Sequence, residues 1–203
     1  MPARDPRLTS ALDDIAAIRG QMARAAQFRG YGPVALGITA ALAIAAAALQ
    51  PWVVPQPLRH PGVYALWWSL AAVLAASVIA VEAVVRARRL HAGLADDMIR
   101  AALEQFLPAA LAGLLATVVL LRAAPASAAL LPGLWQLLFS LGIFATARIL
   151  PRAVIAVAAW YLLTALLSLA AAGRALAPWM MGAPFAVGQA MAAVILWRGK
   201  HAR

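Results

Sequence analysis

The chain has 203 residues, 65% of them hydrophobic and only 12% charged, no cysteine, and a net charge of +10, with a mean hydropathy of +0.85. A water-soluble domain is nearer half apolar and a quarter charged, so the composition excludes an ordinary soluble monomer and points to a membrane protein. The missing cysteines exclude disulfides, thiolate metal sites, iron–sulfur clusters and a cysteine nucleophile.

Residues 1–32 form a segment unlike the rest. Asp5 and Pro6 suit an N-cap and a first helical position, and Ala11, Ile15, Ile18, Met22 and Ala25 then recur at spacings of four and three. Asp13, Asp14, Arg19 and Arg24 leave the opposite face polar, and Gly30-Tyr31-Gly32-Pro33 ends the helix. The reading is an amphipathic cytoplasmic helix on a breakable joint, with Ile15, Ile18 and Met22 as candidate partner-docking residues. The first 30 residues lack a continuous apolar core, so a cleaved leader is not expected.

A bilayer core about 30 Å thick needs roughly 20 apolar helical residues. Six stretches meet or approach this, at 33–54, 64–85, 105–123, 130–147, 153–173 and 177–197. Pro51 near the end of the first stretch is followed by Pro55, Pro57 and Pro61, Pro125 follows the third, and Gly173 ends the fifth with Pro178 after it, where turns are expected. The predicted fold is all-α and polytopic. Six transmembrane helices form three hairpins over 33–197, with a basic tail at 198–203.

Fourteen of the 17 basic residues fall before the first span, between spans 2 and 3, between spans 4 and 5, or after span 6. Only Arg59, Arg122 and Arg174 lie in the other loops, which places both termini in the cytoplasm. Trp52, Trp67, Trp68, Trp135 and Trp179 would anchor the opposite interface, whereas Trp160 and Tyr161 lie deeper and are expected to pack on other helices.

The intramembrane ionisable residue is Glu82, near the cytoplasmic end of span 2 and one turn before Arg86. An interfacial Glu82–Arg86 pair is favoured over a proton- or cation-binding role. Ser77, Thr117, Ser140, Thr164 and Gln189 are read as interhelical hydrogen-bonding groups. In span 6, Pro184 should release a carbonyl near Met180, which a neighbouring helix, water or ligand must satisfy. Gln189 beside this break is the first place to look for a small neutral solute. Gly188 with Ala192, and Gly37 with Ala41, are small-x-x-x-small pairs suited to close helix contact.

Enzymatic readings find no support. His60, His91 and His201 are isolated, Asp96-Asp97 reads as solvated charge, and no phosphate loop, nucleophile elbow or H-E-x-x-H occurs. No catalytic residue, cofactor site, metal site or direct nucleic-acid contact is expected.

The stretches Ile18-Arg19-Gly20-Gln21-Met22 through Phe28, Gly30-Tyr31-Gly32, Leu131-Pro132-Gly133-Leu134-Trp135, Arg148-Ile149-Leu150-Pro151-Arg152 and Pro184-Phe185 with Gly188-Gln189 carry a resemblance over most of the chain. It resembles a functionally uncharacterised family of small bacterial multipass inner-membrane proteins with an N-terminal cytoplasmic helix. The resemblance implies six spans and company with soluble transcriptional regulators, and it transfers no catalytic or transport residue. The expectation is a non-catalytic regulatory or scaffolding component of a bacterial inner membrane. Its partners would be the lipid bilayer, a cytoplasmic regulatory protein or larger membrane complex, and further copies of itself. The alternative is a small oligomeric transporter, with Glu82 and Gln189 as candidate transport or polar-packing residues.

Overall fold

The computed structural model describes residue 18 and residues 32–90, 95–146 and 153–201. Ile15 and Met22, and with them the N-terminal amphipathic helix, lie outside the described residues. Ile18 is helical and exposed.

The described residues are almost wholly helical: α1 Pro33–Val53, α2 Pro61–Leu90, α3 Ala95–Ala123, α4 Leu131–Thr146, α5 Val154–Ala170 and α6 Pro178–His201. Two 3-10 segments, Pro125–Leu130 and Ala172–Leu176, join α3 to α4 and α5 to α6. Helices α1, α2 and α6 and the first 3-10 segment each begin at a proline, whose fixed φ is already helical and whose missing N–H would have had no partner there. The ladder of α5 ends just before Ala172, which turns the chain at φ 50°, an unusual angle for a residue with a side chain.

Helices α2 and α3 both run beyond the apolar stretches that predicted them, and Pro108 lies inside α3. Their extensions are rich in alanine, leucine, arginine and glutamate, good helix formers that keep their backbone bonds after hydropathy falls. Residues 86–90 and 95–104, which hydropathy leaves between spans 2 and 3, are therefore the ends of two long helices.

Each helix contacts its neighbours in sequence, and α6 returns to α1, so the six close into a ring. The most extensive packing joins α1 to α6, followed by α4 to α5. The hairpin pairs α1–α2 and α3–α4 are thinner. Connectivity follows the expected hairpins, but the tightest contact joins the first hairpin to the third. Small residues explain this: α1 buries Ala35, Ala40, Ala43, Ala46 and Ala47. A Cβ on Gly182 of α6 would collide with the Ala47 methyl and lie 3.1 Å from the Ala43 carbonyl oxygen. With no side chain at 182, the two backbones approach closely. By contrast, nothing lies within 4 Å of a Cβ built on Gly37, so the expected Gly37–Ala41 contact does not form.

Large apolar side chains cover the exterior. Leu70, Val73, Leu74 and Val81 on α2, Leu111, Leu114, Leu115 and Val119 on α3, and Leu163, Leu166 and Leu167 on α5 all point outward. Four helical stretches are long and apolar enough to cross a bilayer: Pro33–Val53, Pro61–Val85, Pro125–Ala145 and Pro178–Arg198. Leu107–Ala123 and Val154–Ala170 are shorter apolar helices. An apolar coat of this extent suits a lipid environment, because water would oppose it.

Candidate functional site

With an apolar outside, the polar side chains of this bundle concentrate within it. Most of them tie helices together. Gln50 of α1 donates from Nε2 to the Leu176 carbonyl at 2.9 Å, and its Oε1 accepts the Trp68 indole N–H at 2.9 Å. The neighbouring Trp67 donates to the Ala46 carbonyl at 3.1 Å. One amide and two indoles thus join α1, α2 and the turn before α6.

A second tie answers the proline of α6. Pro184 cannot donate to Met180 four residues back, and the Gln136 Nε2 of α4 supplies that bond at 2.9 Å. The carbonyl expected to be released near Met180 is satisfied by a neighbouring helix. Elsewhere Trp135 donates to Thr117 Oγ1 at 2.9 Å, Ser140 to the Ala158 carbonyl at 2.8 Å, and Trp160 to the Pro184 carbonyl at 3.0 Å. Ser77 and Thr164, expected to bond between helices, donate instead within their own helices to Val73 and Trp160.

Aromatic rings fill the space between these ties. Tyr64 stacks on Trp135 with centroids 6.4 Å apart, and Tyr161 contacts Phe139 and Phe185 at 4.8 and 5.2 Å. Tyr161 and Trp160 therefore pack against other helices, as their depth implied. The tryptophans expected at one interface divide. Trp52 and Trp179 are exposed, Trp68 is buried, and Trp67 and Trp135 are partly buried with their indoles bonded inside. The indoles that turn inward find acceptors on neighbouring helices, the Ala46 carbonyl, the Gln50 amide oxygen and the Thr117 hydroxyl, and there the tie replaces the lipid anchor. The Tyr64 and Tyr161 hydroxyls, Ser168 Oγ and Gln136 Oε1 are buried without a protein hydrogen-bond partner among the described residues.

Glu82 holds a backbone end. Helix α1 starts with no acidic residue in its first turn and no side-chain cap of its own. The carboxylate of Glu82, on α2, accepts the Ala35 N–H at 3.0 Å. It thus caps α1 from the adjacent helix, where the N-terminal dipole favours an anion. The expected partner Arg86 has its side chain outside those described. Gln189 is partly buried one residue beyond Gly188, which meets the Tyr161 ring, and it joins none of the hydrogen bonds among the described residues.

Beyond the ties lies a cleft of about 550 Å³ between the α1–α2 loop and the α5–α6 turn. Gln50, Val54, Leu58 and Leu176 line it with Pro51, Pro55, Pro57 and Pro178, and Arg59 and Arg174 stand at its rim. In the sequence those two arginines are exceptions to the charge bias, and no local pattern sets Gln50 or Gln136 apart as a tie between helices. The one local signal for Gln50 is its place beside a proline near the end of an apolar run. Among the described residues no cluster of histidine and carboxylate groups is arranged to hold a metal ion.

No family model, curated protein or solved structure matches the chain.

Proposed function

We propose that this chain is a six-span bacterial inner-membrane protein with both termini in the cytoplasm, acting without catalysis as a regulatory or scaffolding component. The observation that carries the reading is the use of the interior polar groups. Gln50, Gln136, Trp67, Trp68, Trp135, Trp160 and Ser140 spend hydrogen bonds on other helices, and stacked aromatics occupy the space between them. A transport pathway needs polar groups aimed at a solute near the midplane, whereas a scaffold needs a packed bundle and a presented surface. Ile15, Ile18 and Met22 would be that surface, reorienting on the Gly30-Tyr31-Gly32 joint.

Deleting residues 1–28 tests the reading. The truncated protein should insert and keep its thermal stability in mild detergent while losing a stoichiometric partner that co-purifies with the full chain. Retention of that partner would move docking elsewhere, and unfolding would make the helix part of the bundle.

The small oligomeric transporter is the second reading. It is favoured by the buried polar atoms of Tyr64, Tyr161, Gln136 and Ser168, which lack protein partners among the described residues. Solute-dependent swelling of proteoliposomes, absent from protein-free vesicles, would promote it over the scaffold.

A further inference from the structure

The cleft has a floor and a rim of different chemistry. Buried Val54 and Leu176 make the floor largely apolar, Leu58 and the prolines line the more exposed walls, and the rim holds two exposed arginines, Arg59 and Arg174. Neither arginine is in an ion pair among the described residues. No neutralising carboxylate is near in sequence, because six of the seven acidic residues (Asp5, Asp13, Asp14, Asp96, Asp97 and Glu104) belong to the segments read as cytoplasmic and the seventh, Glu82, lies near the cytoplasmic end of its span. Among the described residues the rim is therefore a pair of cations without a protein counter-charge.

Both walls are built. The Gln56 carbonyl accepts the Arg59 and His60 amides at 3.0 and 3.1 Å. The Ala171 carbonyl accepts the Arg174 amide at 3.1 Å, and Arg174 in turn accepts the Ala177 amide at 3.0 Å. Beneath them the Gln50 amide fastens Leu176 to α1. The two backbones that carry the guanidiniums are thus held in place before any ligand arrives.

Depth identifies the occupant. Trp52 and Trp179, beside the cleft residues Pro51 and Pro178, are 77% and 56% exposed. Exposed indoles at helix ends settle at the headgroup level of a bilayer. An anion entering at that level beside an apolar floor is part of an amphiphile, and guanidinium groups match phosphate oxygens in charge and fork geometry.

We propose that the cleft binds the phosphate of an anionic phospholipid headgroup in the leaflet opposite the termini. Arg59 and Arg174 hold the phosphate, and the prolines and Leu58 receive the adjoining glycerol and upper acyl chain. This assignment rests on the six-span reading, which puts the cleft at a membrane surface.

The test uses the full chain in a nonionic detergent, with lipid binding read by native mass spectrometry. Phosphatidylglycerol should bind at least tenfold more tightly than phosphatidylcholine of the same chains, and the double substitution R59Q/R174Q should abolish that preference. R59K/R174K should retain most of it, and R122Q, a control on the same side but outside the cleft, all of it. Equal preference in R59Q/R174Q and the unaltered chain overturns the proposal, as does an equal loss in R122Q. Displacement of the lipid by millimolar glycerol phosphate would assign the cleft to a soluble anion and overturn the lipid. Because the chain has no cysteine, Ala126→Cys reports topology separately through an impermeant maleimide added to intact cells. No labelling overturns the leaflet and the six-span orientation. Labelling with no headgroup preference overturns the cleft alone.

Discussion

A proline removes one donor and strands one carbonyl, and the neighbour that answers it becomes structurally significant. At Pro184 the answer is Gln136, buried, with its Nε2 on the Met180 carbonyl. Replacing Gln136 with Leu should cost about 1 kcal/mol, more than the ~0.6 kcal/mol average for interhelical bonds, because that carbonyl has no helical donor of its own. In a Pro184→Ala background the restored amide can bond Met180, so the same replacement should cost less. Unfolding in mixed micelles measures both, and equal costs in the two backgrounds would rule out the Met180 bond as the cause. Glu82 makes a similar point about charge. Glu82→Ala removes the acceptor for the Ala35 amide and should lose about 1 kcal/mol, while Glu82→Gln keeps an acceptor oxygen and should lose less. Hydrogen exchange at Ala35 reports the cap directly, and unchanged protection in Glu82→Ala would refute it.

Among the elements, α1 and α6 are matched by the absence of side-chain bulk. Gly182→Ala places a methyl where the Ala47 methyl already stands, so the helices must separate, at a cost of about 1–3 kcal/mol. Gly37→Ala meets open space within a helix and should be neutral or stabilising by up to about 1 kcal/mol. Thermal unfolding of the two variants side by side is the check, and equal responses would contradict the packing described. In sequence Gly37, with Ala41 four residues on, reads as a candidate for close contact, and only the packing shows that Gly182 is the one of the two that makes it. Helix existence was legible because hydropathy and proline placement are local. Helix ends were less so: α2 and α3 continue past their apolar stretches because helix propensity outlasts hydropathy.

For the whole molecule, the charge distribution predicts which ends of the ring face which side. Reporter fusions at Arg203 and in the loop at His91 should behave as cytoplasmic, and fusions near His60, Ser127 and Gly173 as external. A cytoplasmic signal from Ser127 would dismantle the six-span arrangement. The ring also locates its polar ties unevenly. Gln50 and the Leu176 carbonyl it holds lie at the cleft, while Glu82 fastens the end from which the N-terminal segment departs. A segment deleted at that end should leave the tie at the cleft unaffected, which is why truncation is expected to separate docking from folding.

What the sequence determined by itself was the apolar exterior, the six apolar helices of the described residues and the imbalance of charge. Each follows from transfer energy or backbone sterics summed over nearby residues, so a linear reading suffices. Only the tertiary structure decided that the first helix packs on the last, that Gln136 answers Pro184, that Glu82 caps α1, and that Arg59 and Arg174 share one cleft. These pairings depend on which small residues let two backbones approach and on which donor then comes within 3 Å of a free acceptor. Distances between residues remote in sequence exist only once the ring has closed.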